Sequence, residues 1–221
     1  MSRYAKMIAG ILDRLINLLK WPFAVWSAWV LFPASQSVYE IVIHSLDKIE
    51  VLIPLFVGGF SYLVTSRIIV GKKKQGWFST LEHELTHAVF ALITFHKVNG
   101  IQTTANQGGV IEIQNGNNWL IIISPYFFPT FSFFFILLFS LVDAHNKWVT
   151  NFLLGCTVAY HLISTVHELH RHQTDLQQTG FVFATLFLPG ANLICYGTIL
   201  AFAINGTGEM MSFIKNSLMI F

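Results

Sequence analysis

The chain has 221 residues, 54% of them hydrophobic and only 11% charged, and its net charge is +2. A soluble domain carries about 25% charged residues, so this deficit, with a mean hydropathy of +0.59, points to an integral membrane protein whose first partner is the lipid bilayer. The small net charge offers no electrostatic footprint for nucleic acid.

The first segment, Ser2 to Lys20, is amphipathic. Tyr4, Met7, Ile8, Ile11, Leu12, Leu15 and Leu19 recur at helical spacing, and Arg3, Lys6, Arg14 and Lys20 supply positive charge. Residues 1–20 therefore read as a helix lying on an anionic membrane surface. Apolar segments follow at Trp21–Ile43, Val51–Val70, Trp77–Phe95, Trp119–Val142, Trp148–Val166 and Phe181–Ile204. A span needs about 20 residues, so the expected fold is an all-α polytopic membrane protein with about six transmembrane helices. Pro33, Ser35, Gln36 and Ser37 interrupt the first segment. Arg67 and Lys72–Lys74 form the strongest basic cluster, and the positive-inside rule places that loop in the cytoplasm. Cys156 and Cys195 lie in apolar segments and read as buried thiols.

Val98 to Asn118 differs from the rest. It is polar, holds Gly100, Gly108, Gly109 and Gly116, and contains the alternating run Val110-Ile111-Glu112-Ile113-Gln114. That pattern predicts a small β-hairpin between two helices. The chain then divides into a surface helix (1–20), N-terminal transmembrane helices (21–75), a membrane core (76–204) and a C-terminal tail (205–221).

Inside Trp77–Phe95 stands His83-Glu84-Leu85-Thr86-His87, an H-E-x-x-H motif. Residues four apart share one helix face, so both imidazoles can hold one metal ion. Glu84 is placed beside them to take a proton from an activated water. Ionisable residues inside a span are costly and mark function. A hydrolytic zinc site takes three protein ligands, and on the residues alone the third is open. His161, His167, Glu168, His170, His172 and Asp175 all lie in the polar stretch before the last apolar segment. Glu82 is either a carboxylate behind a ligand imidazole or a first-turn carboxylate. His167, His170 and His172 could instead form a second metal site or a polar edge. Asp175 could equally cap a helix.

Three further stretches extend the pattern: Gln107-Gly108-Gly109-Val110-Ile111, Ile123-Ser124-Pro125-Tyr126-Phe127-Phe128-Pro129 and Thr174-Asp175-Leu176-Gln177-Gln178-Thr179-Gly180. With the metal motif, and in this order, they resemble the M50 family of membrane zinc metalloproteases, the site-2 protease type, and within it the M50B-like branch. The resemblance covers residues 76–204. It implies Zn2+ as cofactor, His83, His87 and Asp175 as its ligands, and Glu84 as general base. It also implies that Ser124 and Tyr126 line the site or help hold the substrate. Pro189-Gly190-Ala191-Asn192 interrupts the last apolar segment, either as a proline kink or with Asn192 pairing to the backbone of an unwound substrate. The implied activity is hydrolysis of peptide bonds in or near transmembrane segments, with a transmembrane protein as substrate.

Thr86 stands where the family typically has Gly, which leads us to expect looser or altered helix packing. The longer N-x-x-P-x-x-x-L-D-G motif survives only as Asp175-Leu176. There is no PDZ-like insertion, so substrate selection falls to the membrane core or to a regulatory membrane partner. These departures support a second reading: a catalytically inactive relative that binds transmembrane partners or a structural metal. A third reading, a metal transporter, predicts several coordinating pairs along one path. Topology also constrains the site. Were Trp119–Val142 and Trp148–Val166 both simple spans, Asp175 would emerge a membrane thickness from His83. Either one segment is broken, with Pro125 and Pro129 as break points, or Asp175 dips inward, or the count of spans is too high.

Overall fold

The computed structural model describes residues 3–104, 108–114, 116, 118–142, 146–169 and 173–219; of 48, 69–79, 101–104, 108, 110 and 142 it describes the backbone path only. Helix α1 (Arg3–Leu18) leads into α2 (Lys20–Ser45). Helix α3 (Ile49–Thr65) continues through a π-helical turn, Ser66–Val70, into α4 (Gly71–Ile93). Strands β1 (Lys97–Thr104) and β2 (Gly108–Gln114) follow. Next come α5 (Trp119–Ile123), a 3-10 turn (Ser124–Tyr126), α6 (Thr130–Val142), α7 (Lys147–Glu168), α8 (Thr174–Thr179), α9 (Phe181–Asn205) and α10 (Thr207–Leu218).

The fold is mostly helical with one two-stranded antiparallel sheet, as expected, but the span count differs. Three helices among the described residues are long and apolar enough to cross a membrane: Ile49–Ile68, Lys147–Glu168 and Phe181–Asn205. Two bent pairs raise the number to at most five. These are Arg3–Leu18 with Lys20–Ser45, bent by 55°, and Trp119–Tyr126 with Thr130–Leu141, bent by 84°. Among the described residues the expected six spans are therefore not confirmed. Glu82, His83, Glu84, Thr86 and His87 take α4 out of the apolar range. Residues 21–43 qualify only when joined to α1. Pro33 lies inside an unbroken α2. Lys72–Lys74 sit in the first turn of α4, so the basic cluster is helical rather than a loop.

The chain breaks at Phe127–Pro129, next to the two prolines singled out in the sequence. Pro125 opens the 3-10 turn, and Pro129 precedes α6, where its missing N–H is not needed. Asn118 caps α5 by accepting from the Ile121 N–H at 3.0 Å. The hairpin pairs Thr104 with Gly108 and Val98 with Ile113, with a bulge between Val98 and Gly100, and both strands pack on α4.

Small residues set the helix spacing. Without a hydrophobic drive between helices in lipid, close backbone packing and interhelical hydrogen bonds hold them together. Gly58 of α3 faces the carbonyl oxygen of Phe152, and Gly155 of α7 faces that of Leu55, so a Cβ at either glycine would strike backbone. Asn151 of α7 donates to Val51 O at 2.7 Å and to Ala203 O at 2.9 Å, tying α7 to α3 and α9. Gly190 of α9 lies against Ser27 O of α2, and the Ser27 hydroxyl donates to Phe187 O at 2.6 Å. Helix α10 packs on α9 and α2, with the buried Phe213 ring over Gly197.

The α3–α7 contact makes a testable point. Gly155→Val must push backbone away from backbone and is expected to cost about 1–3 kcal/mol or more. Gly10→Ala has no neighbour within 4 Å of the new methyl and is expected to gain up to about 1 kcal/mol through helix propensity. Thermal unfolding of both variants in detergent should lower the midpoint for the first and hold or raise it for the second.

Candidate metal centre

Helix α4 brings His83 and His87 one turn apart on one buried face. Their rings lie 4.8 Å apart at an interplanar angle of 79°, with Nε2 atoms 3.1 Å from each other. Asp175 comes from α8, the six-residue helix between α7 and α9. It is not the N-cap, a position held by Gln173. Its side chain turns to α4 instead, with Oδ2 3.1 Å from His83 Nε2 and 3.4 Å from His87 Nε2. Donors of this kind around a tetrahedral zinc at about 2.0–2.1 Å stand about 3.3 Å apart. The observed triangle, 3.1, 3.1 and 3.4 Å on its sides, fits one small cation. The broken α5–α6 segment removes the topological conflict, because Asp175 and His83 now lie at one level.

The far side of each imidazole is also occupied. His87 Nδ1 donates to Ile121 O at 2.7 Å. His83 Nδ1 meets Glu168 Oε2 at the end of α7. A metal-binding histidine commonly donates its second N–H to a carbonyl or carboxylate in this way, which leaves both Nε2 lone pairs aimed at the triangle. Glu168 therefore touches the ring nitrogen facing away from Asp175, not the ligand position for which it was an alternative. The other alternative, His172, lies outside the described residues, as do His170, Arg171 and Gln107. His167 is described and exposed.

Tyr126 donates to Asp175 Oδ2 at 3.3 Å, and its ring meets the His83 ring edge-on at 5.4 Å. The Ser124 hydroxyl donates to Ile121 O at 2.9 Å, the carbonyl that also receives His87. Asn192 Nδ2 donates to Tyr126 O at 3.0 Å and to Leu188 O at 2.9 Å. These three side chains fasten the 3-10 turn and, through it, the donors.

Glu84 is buried beneath β2. A Cβ on Gly109 would meet its Cγ and Oε1, so any other residue there forces the Glu84 side chain to shift. Glu82 is buried in mid-helix and does not sit behind a donor imidazole. Its Oε1 accepts the Phe131 N–H at 3.0 Å, at the start of α6, and its Oε2 pairs with His161 Nδ1 at 3.2 Å. His161 is thereby taken up and does not reach the triangle.

A family model described as Peptidase M50B-like matches residues 56–214, more than two thirds of the chain. The chain belongs to the Peptidase M50B-like family. No curated protein and no solved structure matches it. In this M50B-like chain the matched region runs from α3 into α10 and so contains every group of the triangle and its supports.

At Thr86 the packing is altered rather than loose. Thr86 is fully buried, donates to Glu82 O at 2.7 Å, and lies 2.5 Å from the Thr130 hydroxyl at the start of α6. With its own proton on Glu82 O, it receives that of Thr130. Thr86→Val keeps the shape but strands the buried Thr130 hydroxyl. The expected loss is about 1–3 kcal/mol, read as a lower unfolding midpoint, whereas Thr86→Ser should retain most of the stability.

Proposed function

We propose that this chain is a zinc metallopeptidase that hydrolyses a peptide bond in or near a transmembrane segment of another membrane protein. The observation that carries the reading is the His83–His87–Asp175 triangle, backed by Ile121 O and Glu168 and set among apolar helices. Two nitrogens and one carboxylate oxygen suit zinc, and three protein donors leave one position of a tetrahedron for the reaction. When bound there, zinc would supply Lewis-acid polarisation of a scissile carbonyl and of water.

The chain's own groups do the rest. Glu84, next to His83 on α4, takes the proton that the attacking water gives up and hands it to the leaving amine. Tyr126 holds the Asp175 carboxylate in line with both imidazoles. Ser124 and Asn192 hold the turn that carries Tyr126. The β2 strand keeps bulk solvent from the Glu84 carboxylate, while Gly109 leaves room for it. The substrate must be locally unwound, because a helix hides its own carbonyls in hydrogen bonds. In this reading the Lys72–Lys74 end of α4 faces the cytoplasm.

Metal analysis and cleavage of a transmembrane substrate test the assignment together. The chain should bind one equivalent of zinc and lose it in His83→Ala, His87→Ala or Asp175→Ala. Glu84→Gln should keep the zinc and lower cleavage by about 10²–10⁴ or more. Cleavage that persists in Glu84→Gln rules the mechanism out, and bound zinc without cleavage of any tested helix favours a silent relative that only binds partners. Gly109→Val, which crowds Glu84 without touching a donor, is expected to keep the zinc equivalent and depress kcat.

A further inference from the structure

Glu168 backs His83 in the peptidase reading, which leaves open what it does to that ring. Its side chain is largely buried at 13% exposure. Its Oε2 lies in contact with His83 Nδ1, and neither oxygen makes another polar contact or a well-aligned hydrogen bond among the described residues. A buried carboxylate is tolerated only where a polar neighbour compensates its desolvation. Here the neighbour is a ring whose other nitrogen points at Asp175 and His87.

The helix that carries Glu168 is fixed by a second buried pair. His161 lies seven residues earlier on α7, about 10 Å along the axis and on the same face. It meets Glu82, the residue before His83. Glu82 in turn accepts from the Phe131 N–H of α6, and its own backbone N–H lies 3.4 Å from the Tyr160 hydroxyl. Helix α7 thus sends three side chains to two consecutive residues of α4. Tyr160 and His161 set how the helices sit against each other, and Glu168 reaches the donor ring.

We infer that Glu168 is a positioning residue: it accepts the Nδ1 proton of His83, fixes the tautomer that leaves Nε2 free for the metal, and strengthens that nitrogen as a donor. The His161–Glu82 pair holds α7 in the register that keeps Glu168 there. This inference rests on the zinc reading above and adds to it a residue that never touches the metal.

Its test is metal affinity, not turnover. The full chain in detergent is stripped of metal, then titrated with zinc against a chromogenic chelator and with cobalt for its absorption spectrum. Glu168→Ala is expected to weaken zinc binding by about 10–100-fold while still reaching one equivalent at saturation. Its cobalt spectrum should match that of the parent, because the donor set is unchanged. Glu168→Gln, whose side-chain oxygen still accepts from Nδ1, should recover most of the affinity. Glu168→Met fills the same space with no acceptor and is expected to behave like Glu168→Ala, which keeps the question answerable if the alanine variant unfolds. Affinity indifferent to all three substitutions, a glutamine variant as weak as methionine, or a changed cobalt spectrum each overturns the assignment. A parent chain that binds no equivalent of either metal overturns the zinc reading and this inference with it; a parent that binds normally while Glu168 proves silent overturns this inference alone.

Discussion

Asp175 reaches His83 and His87 from a helix of six residues, too short to be stable by itself in water. What holds that helix in place is therefore what holds the site together. Leu176 is buried in the same cluster as Trp119, Phe183 and Phe187, so the residue beside Asp175 is clamped by α5 and α9. Gly180 ends α8 at φ +84°, a conformation open to glycine and strained for other residues, and this lets the chain turn straight into α9. The carboxylate is thus delivered at the level of α4 between two long helices. Without the 84° break between α5 and α6, the segment that carries Ile121 and Tyr126 would run past the site as a plain span.

The same bundle contains several acids that an apolar interior would otherwise exclude. Desolvation makes a buried charge tolerable only when it is paired and hydrogen-bonded. Glu82 meets that condition through His161 and the Phe131 N–H. Asp13 meets it through Asn118 at 2.6 Å and His96 at 3.1 Å, which fastens α1 to the end of α4 and the start of α5. The polar groups form separate closed sets, each joining elements far apart in sequence, and the apolar side chains fill the space between them. Removing one member leaves its partner buried and unpaired, so these sites act on the fold as well as on the chemistry.

The features that were legible in the sequence are those set by local spacing. The i, i+4 histidines of α4, the alternating run that became β2, and the prolines at the α5–α6 break follow from 3.6-residue and two-residue periodicity and from proline's missing donor. Asp175 entered through its resemblance to a family segment, since spacing alone did not separate it from Glu168 or His172. The count of six spans rested on apolar length alone, and among the described residues three to five helices meet that test. How Thr86 alters the packing was not legible in the sequence, because its hydroxyl finds Thr130 forty-four residues on. Glu82 carried a hint of a supporting role and Glu168 stood as an alternative ligand, but which imidazole each one meets depends on how α7 lies against α4, and that is a tertiary fact.

That tertiary fact has its origin in glycines. Gly58 and Gly155 bring α3 and α7 to backbone contact, and Asn151 then bonds α7 to α3 and α9. With α7 so placed, His161 lies beside Glu82, and Glu168, two turns on, lies beside His83. Any residue that widens the α3–α7 contact must move both rungs at once. The position of a donor ring in the centre is thereby coupled to a helix contact that contains no ionisable group. The H-E-x-x-H motif supplies the donors, but their aim depends on a set of small residues in a different pair of helices.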